Sequence, residues 1–180
     1  MLTAFPDHIE GPQDVKTVVQ GEFHISEDRN VMLSTVLGSC VAVCIFDSEA
    51  AVGGMNHFLL PGRIGDQNEN VKYGTFAMEM LINGLIKAGA DRFQLKAKLF
   101  GGARMTANLS DIGASNVAFG RKFLADEGID CIAESIGGTQ ARRVQFIPST
   151  GAVRQKIVAG NEVEIAPTSI APAPSEVTLF

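Results

Sequence analysis

The chain has 180 residues, with 15 Lys and Arg against 20 Asp and Glu for a formal net charge of −5, and 46% hydrophobic residues. That length suits one domain burying roughly two thirds of the surface its unfolded chain exposes, with no need of a disulfide or metal. An acidic balance with only Arg142-Arg143 as a basic pair argues against a nucleic-acid partner, and three cysteines without disulfide spacing suit a reducing, cytoplasmic setting.

Residues 1 to 14 carry prolines and charges without periodicity and are expected to form a flexible arm, lacking the basic start and apolar core of a secretory signal. Charged or polar residues interrupt each candidate span further on, so no membrane insertion is expected. Val15 to Ile25 reads as one or two strands around Gly21, and a further strand leads into Leu37-Gly38. Residues 41 to 46 and Val52 to Phe58 are β-branched or apolar runs about a polar segment, which predicts a hairpin. Pro61 to Asn70 reads as an exposed loop, Lys72 to Ala88 as a helix closed by Gly89, and Gln94 to Phe100 as a strand ending on Gly101-Gly102. Ser115 or Asn116 can cap a second helix running to Glu127, and strands follow over Ile129–Ile136, Arg143–Ile147 and Val153–Val158. The folded domain is expected over 15–165. From 166 to 180 the proline-rich composition predicts a flexible tail.

The hairpin carries the chemistry. A tight turn centred on Ser48-Glu49 pairs Asp47 with Ala50, and in the same register Cys40 stands opposite His57. Cross-strand Cβ atoms are about 4.5 to 5.5 Å apart, so thiol and imidazole would meet. A histidine that takes the thiol proton turns a cysteine into a nucleophile. Gly38 permits a tight bend before the thiol, and the N–H groups of Ser39 and Cys40 are candidate oxyanion donors. Either hydroxyl of Ser34 or Thr35 could accept the imidazole N–H and fix its tautomer. Cys40, Cys44 and His57 do not make a zinc site, because on a strand the two thiols lie about 13 Å apart. Cys44 and Cys131 are expected in the core, as are Phe76, Met78 and Met80. His8 and His24 are isolated, and Gly101-Gly102 and Gly137-Gly138 read as turn glycines with no phosphate or dinucleotide fingerprint, so no cofactor is expected.

The run Leu37-Gly-Ser-Cys-Val-Ala-Val-Cys44, with Asp47, Gly53, His57 and Pro61, resembles the bacterial chemoreceptor glutamine deamidase family CheD. The likeness continues through Phe23, Lys98-Leu-Phe-Gly-Gly-Ala103, Met105, Ile112-Gly113, Asn116, Gly128-Ile129, Gly137-Gly138, Arg142-Arg143 and Gly151, covering roughly 15 to 160. It implies a three-layer α/β/β sandwich, related to toxin deamidases with an inverted papain-like site, and a Cys, His and Thr centre. By this resemblance Cys40 is the nucleophile and His57 the base. The family threonine lies six positions before the cysteine, where this chain has Ser34, with Thr35 beside it. Ser34 is the expected third residue, since an even spacing puts it on the cysteine's face of a regular strand; a bulge at Gly38 would reverse that parity. Ser135-Ile-Gly-Gly and Ala141-Arg depart from the family's Asp-x-Gly-Gly and Gly-Arg.

The implied reaction converts receptor glutamines to glutamates through a cysteine thioester, with no cofactor or metal. The implied partners are the cytoplasmic helices of chemoreceptors and the CheC phosphatase. The rival reading is a chemotaxis adaptor whose deamidase site is secondary.

Overall fold

A computed structural model describes residues 14–60, 67–106, 112–159 and 177–180. The arm expected over 1–14, apart from Asp14, the first part of the loop expected at 61–70 and most of the expected tail lie outside the described residues. Strands β1 (Asp14–Thr17) and β2 (Phe23–Ser26) flank a turn whose Gly21 has φ 89°. Then come β3 (Val31–Leu37), β4 (Val41–Asp47), β5 (Val52–Phe58) and helix α1 (Gln67–Lys87). A 3₁₀ turn over Arg92–Gln94 leads into β6 (Lys96–Gly101), α2 (Ile112–Asp126) and β7 (Asp130–Ile136). Strands β8 (Ala141–Ile147), β9 (Ala152–Val158) and β10 (Val177–Leu179) complete the order.

The strands form two five-stranded sheets, β1-β3-β8-β9-β10 and β2-β5-β4-β6-β7. Strand β4 explains their packing, because all seven of its residues are buried and its two faces meet different neighbours. Val41, Val43 and Ile45 join Met78, Leu81 and Leu85 of α1 and Val117 and Leu124 of α2. Ala42, Cys44 and Phe46 join Leu33 and Leu37 of β3 and Val144 and Phe146 of β8, between the sheets. A strand covered on both faces must be apolar throughout, which is why 41 to 46 shows no polar alternation.

Local chemistry corrects the hairpin register. Asp47 pairs with Val52, not Ala50, so His57 pairs with Ala42 and Cys40 lies outside the ladder. The turn is longer because the Asp47 carboxylate accepts from the N–H groups of Glu49 at 2.9 Å and Ala50 at 3.1 Å, and Ala51 takes φ 53° to rejoin the strand. Its second oxygen accepts from Asp91 N–H at 2.9 Å. Burial pushes this carboxyl upward in pKa, but the three N–H donors outweigh it and hold the group below the usual carboxylate range.

Two further expectations change. Helix α2 begins at Ile112, so Asn116 is not its cap but a buried interior residue, recruited to bind another segment. The last residues are not loose: Val177 to Leu179 pair antiparallel with Lys156 to Arg154 of β9, and the Phe180 ring meets Phe100 edge-on at 5.6 Å. Beneath it the buried Lys98 donates to the main-chain oxygens of Gly151 at 2.8 Å and Phe180 at 2.9 Å. Burial lowers the Lys98 pKa. Composition shows neither a vacant sheet edge nor a buried ammonium in need of acceptors, and those are what hold this segment.

Deleting residues 177–180 is therefore expected to destabilise the domain by about 1–3 kcal/mol, the cost of leaving a buried donor short of an acceptor. Urea unfolding measures it. Lys98→Met should recover part of the loss in the shortened chain, and an unchanged urea midpoint on deletion would contradict the packing described.

Candidate active site

Cys40 occupies the three-residue link Gly38-Ser39-Cys40 between β3 in one sheet and β4 in the other. Each carbonyl of the link is tied down, two by the segment after β6 and one by α2. Gly38 O accepts from Ala103 N–H at 2.8 Å, Cys40 O from Gly102 N–H at 2.8 Å, and Ser39 O from the Asn116 side-chain amide at 3.0 Å. Asn116 in turn accepts from Leu60 N–H at 2.8 Å, so it joins the chain after β5 to the link. Among the described residues no bonded acceptor takes the N–H of Ser39.

The glycines after β6 are more than turn residues. Gly101 has φ 108°, and a Cβ there would stand 2.2 Å from the Cys40 carbonyl oxygen. Gly102 has φ 68° and packs equally hard on α2, where a Cβ would meet Val117 at 2.3 Å. Close backbone approach, not turn geometry alone, selects glycine at both positions. Gly137 and Gly138 continue the same brace: Gly137 N–H donates to Gly101 O at 2.9 Å and Arg104 N–H to Gly138 O at 2.8 Å. The buried Arg142 on β8 donates to the carbonyls of Ser135 and Gly137. Met105 covers the other side of the link, its Sδ 3.2 Å from where a Gly38 Cβ would be.

His57 faces the layer between the sheets. There its Nδ1 lies 2.9 Å from Thr35 Oγ1 and 3.2 Å from the carbonyl of Val18. The Thr35 hydroxyl donates its proton to Val18 O at 2.7 Å. A hydroxyl has one proton, so Oγ1 can only accept from His57, and Nδ1 must carry the imidazole hydrogen. That leaves Nε2 as the lone-pair nitrogen. It is buried and has no partner among the described residues. Burial lowers the His57 pKa against the raising effect of the Val18 bond, so the ring is neutral at physiological pH.

Cys40 packs against the same inter-sheet cluster. It lies two residues before Ala42, the direct partner of His57. Burial raises its pKa, only partly offset by its own N–H. The resting pair is accordingly thiol and neutral imidazole. The Cys40 thiol donates to Gln20 Oε1 at 3.4 Å.

The third expected residue is displaced. Thr35, not Ser34, carries the hydroxyl at the imidazole. Ser34 points to the opposite face of β3, where residues alternate with the inward Leu33, Thr35 and Leu37. Parity counted from Cys40 fails because β3 and β4 belong to different sheets, so no continuous strand runs from 34 to 40. Val18, Gln20 and Asn116 at this site carry no motif, and sequence reasoning passed over them for these roles. Cys44 is fully buried with its pKa driven upward by desolvation, and desolvation of the half-buried Cys131 pushes it to about 11.

A family model described as "CheD chemotactic sensory transduction" matches residues 59–157. A "Probable chemoreceptor glutamine deamidase CheD 1" of Ruegeria sp. is 52% identical over 91% of this chain and 94% of the relative. A "Probable chemoreceptor glutamine deamidase CheD" of Caulobacter vibrioides is 51% identical over 94% of this chain and 90% of the relative. The solved structure of a Bacillus licheniformis hypothetical protein, YfiH, superposes with a TM-score of 0.45 at 13% identity, over 73% of this chain and 62% of that one. No helix among the described residues is long and apolar enough to cross a membrane.

The hydrogen-bond arrangement makes a spectroscopic prediction. Imidazole nitrogen NMR should find the proton of His57 on Nδ1 in the wild type, in Ser34→Ala and in Thr35→Ser. Thr35→Ala should shift the His57 nitrogen resonances and cost about 1–3 kcal/mol of stability, because the buried imidazole N–H and the Val18 carbonyl each lose one partner and keep only each other at 3.2 Å. A shift of those resonances in Ser34→Ala instead would reverse the assignment.

Proposed function

The chain belongs to the CheD family, and from that premise we propose that it hydrolyses glutamine side-chain amides to glutamates in the cytoplasmic helices of chemoreceptors. The observation that carries this reading is that His57 spends Nδ1 on Thr35 and Val18 and leaves the buried Nε2 as the nitrogen able to take a thiol proton. In this mechanism Nε2 takes the proton of the Cys40 thiol as sulfur attacks the amide carbon. The developing oxyanion is met by the N–H groups of Ser39 and Cys40. His57 then returns the proton to the departing ammonia, the carbon–nitrogen bond breaks and a thioester remains. Water, deprotonated by the same nitrogen, cleaves the thioester, releasing glutamate and restoring the thiol. Thr35 holds the imidazole through Nδ1–H and touches no reacting atom, so it is a positioning residue.

Thiol activation is concerted with attack on this reading, since burial keeps Cys40 protonated and His57 neutral at rest. The side of β4 that faces the helices and the side that faces the second sheet support the three-layer α/β/β arrangement. The reaction is assigned to residues 15–165, in the cytoplasm, where such receptor helices lie.

Ammonia release from a receptor cytoplasmic fragment, with peptide mass mapping of its glutamines, tests the reading. Cys40→Ala and His57→Ala should each lower the rate by about a thousandfold or more, and Cys44→Ala should retain most of it. Turnover by Cys40→Ala at the wild-type rate would end the covalent mechanism.

The neutral pair also sets the pH profile. Lowering the imidazole pKa preserves the base form on acidification, so kcat/KM should fall only below the usual imidazole value of 6.5. Above neutrality it should stay level, because the thiol remains protonated beyond its usual range. A descending limb between pH 7 and 8 would instead mean a thiolate–imidazolium pair.

A further inference from the structure

Residues 18 to 22 cross from β1 in one sheet to β2 in the other and pass directly over His57. The Val18 carbonyl faces the ring at 3.2 Å, Gly21 N–H donates to His57 O at 2.7 Å, and His57 N–H donates to Glu22 O at 3.0 Å. The bend itself is closed by Glu22 N–H donating to Val19 O at 3.0 Å, with Gly21 supplying the positive φ that a turn needs at its third position. This backbone is therefore fixed on both sides of Gln20. The Gln20 residue itself is exposed, so its side chain can turn away into solvent at the cost of a rotamer change alone.

Yet Gln20 does not point away. Its carboxamide oxygen accepts from the Cys40 thiol at 3.4 Å. A primary side-chain carboxamide thus rests on the nucleophile of an enzyme whose proposed substrate group is a primary side-chain carboxamide. We propose that Gln20 is an internal stand-in for the substrate glutamine, capping the Cys40 thiol in the resting enzyme and occupying the place that the incoming amide must take. The inference rests on the deamidase reading for the identity of the displaced group.

The orientation explains why the cap is not itself a substrate. Gln20 presents its oxygen to sulfur as an acceptor, which suits the protonated thiol. A productive amide must present its carbon to sulfur and its oxygen to the N–H groups of the link. The cap also lowers apparent substrate affinity by the fraction of time that it is in place, because only the uncapped form can bind. Neither backbone nor sheet packing has to move for the site to open.

Iodoacetamide labelling of Cys40 across pH, read by peptide mass mapping, reports the cap without reference to any receptor. Gln20→Ala and Gln20→Asn, the second too short by one methylene, should label about fivefold faster at neutral pH, the equivalent of one lost hydrogen bond. Their labelling midpoint should move to lower pH, since the thiol form loses its acceptor. The near-isosteric Gln20→Glu should move it to higher pH by placing a carboxylate beside the sulfur. With the receptor fragment, Gln20→Ala should lower KM several-fold. Labelling profiles unchanged in Gln20→Ala and Gln20→Asn, or a KM that rises on removing the side chain, would overturn the proposal. If labelling responds as expected but no variant releases ammonia, the cap stands and the receptor reading falls.

Discussion

The carbonyl of Val18 accepts from the Thr35 hydroxyl at 2.7 Å and lies 3.2 Å from His57 Nδ1, within a layer otherwise built from Leu33, Leu37, Ala42, Met55 and Phe100. Thr35 belongs to one sheet and His57 to the other, so this small polar node is a junction between them. In an apolar layer a polar group without a partner costs about 1–3 kcal/mol, which makes the node a constraint on how the sheets can slide. Only one relative placement satisfies the hydroxyl, the ring N–H and the carbonyl together. That placement also fixes which imidazole nitrogen is left bare.

The link that carries Cys40 depends on a second constraint, backbone crowding. All three carbonyls of the link are committed: those of Gly38 and Cys40 to Ala103 and Gly102 in the segment after β6, and that of Ser39 to Asn116 of α2. Gly101 and Gly102 allow this because side chains there would run into the Cys40 carbonyl and Val117. Rigid support of this kind suits a site that must hold donors ready for charge that appears only during reaction.

Burial sets the electrostatics in a consistent direction. It raises the Cys40 pKa and lowers that of His57, so both partners are uncharged at rest. An uncharged pair avoids the cost of two buried ions and leaves the thiol less exposed to adventitious oxidation than a standing thiolate. The strap over residues 18 to 22 serves both halves of the site, since it supplies the Val18 carbonyl to the imidazole and carries Gln20 to the thiol.

The sequence by itself determined the strands, because their apolar runs and punctuating glycines are local properties: Val52 to Phe58, Ile129 to Ile136 and the left-handed stop at Gly89 were all readable in it. Through the run around Cys40 it also determined the family. Tertiary structure decided the rest. The hairpin register turned on Asp47 binding three N–H groups, which shifted His57 from Cys40 to Ala42 as its direct partner. Thr35 displaced Ser34 because the chain changes sheets between β3 and β4, and face parity carries no information across such a crossing. Asn116 and Gln20 act on residues 77 and 20 positions away, and Phe180 on a lysine 82 positions away. Periodicity reports which face a residue occupies within its own element; which distant element meets that face is settled only when the layers pack.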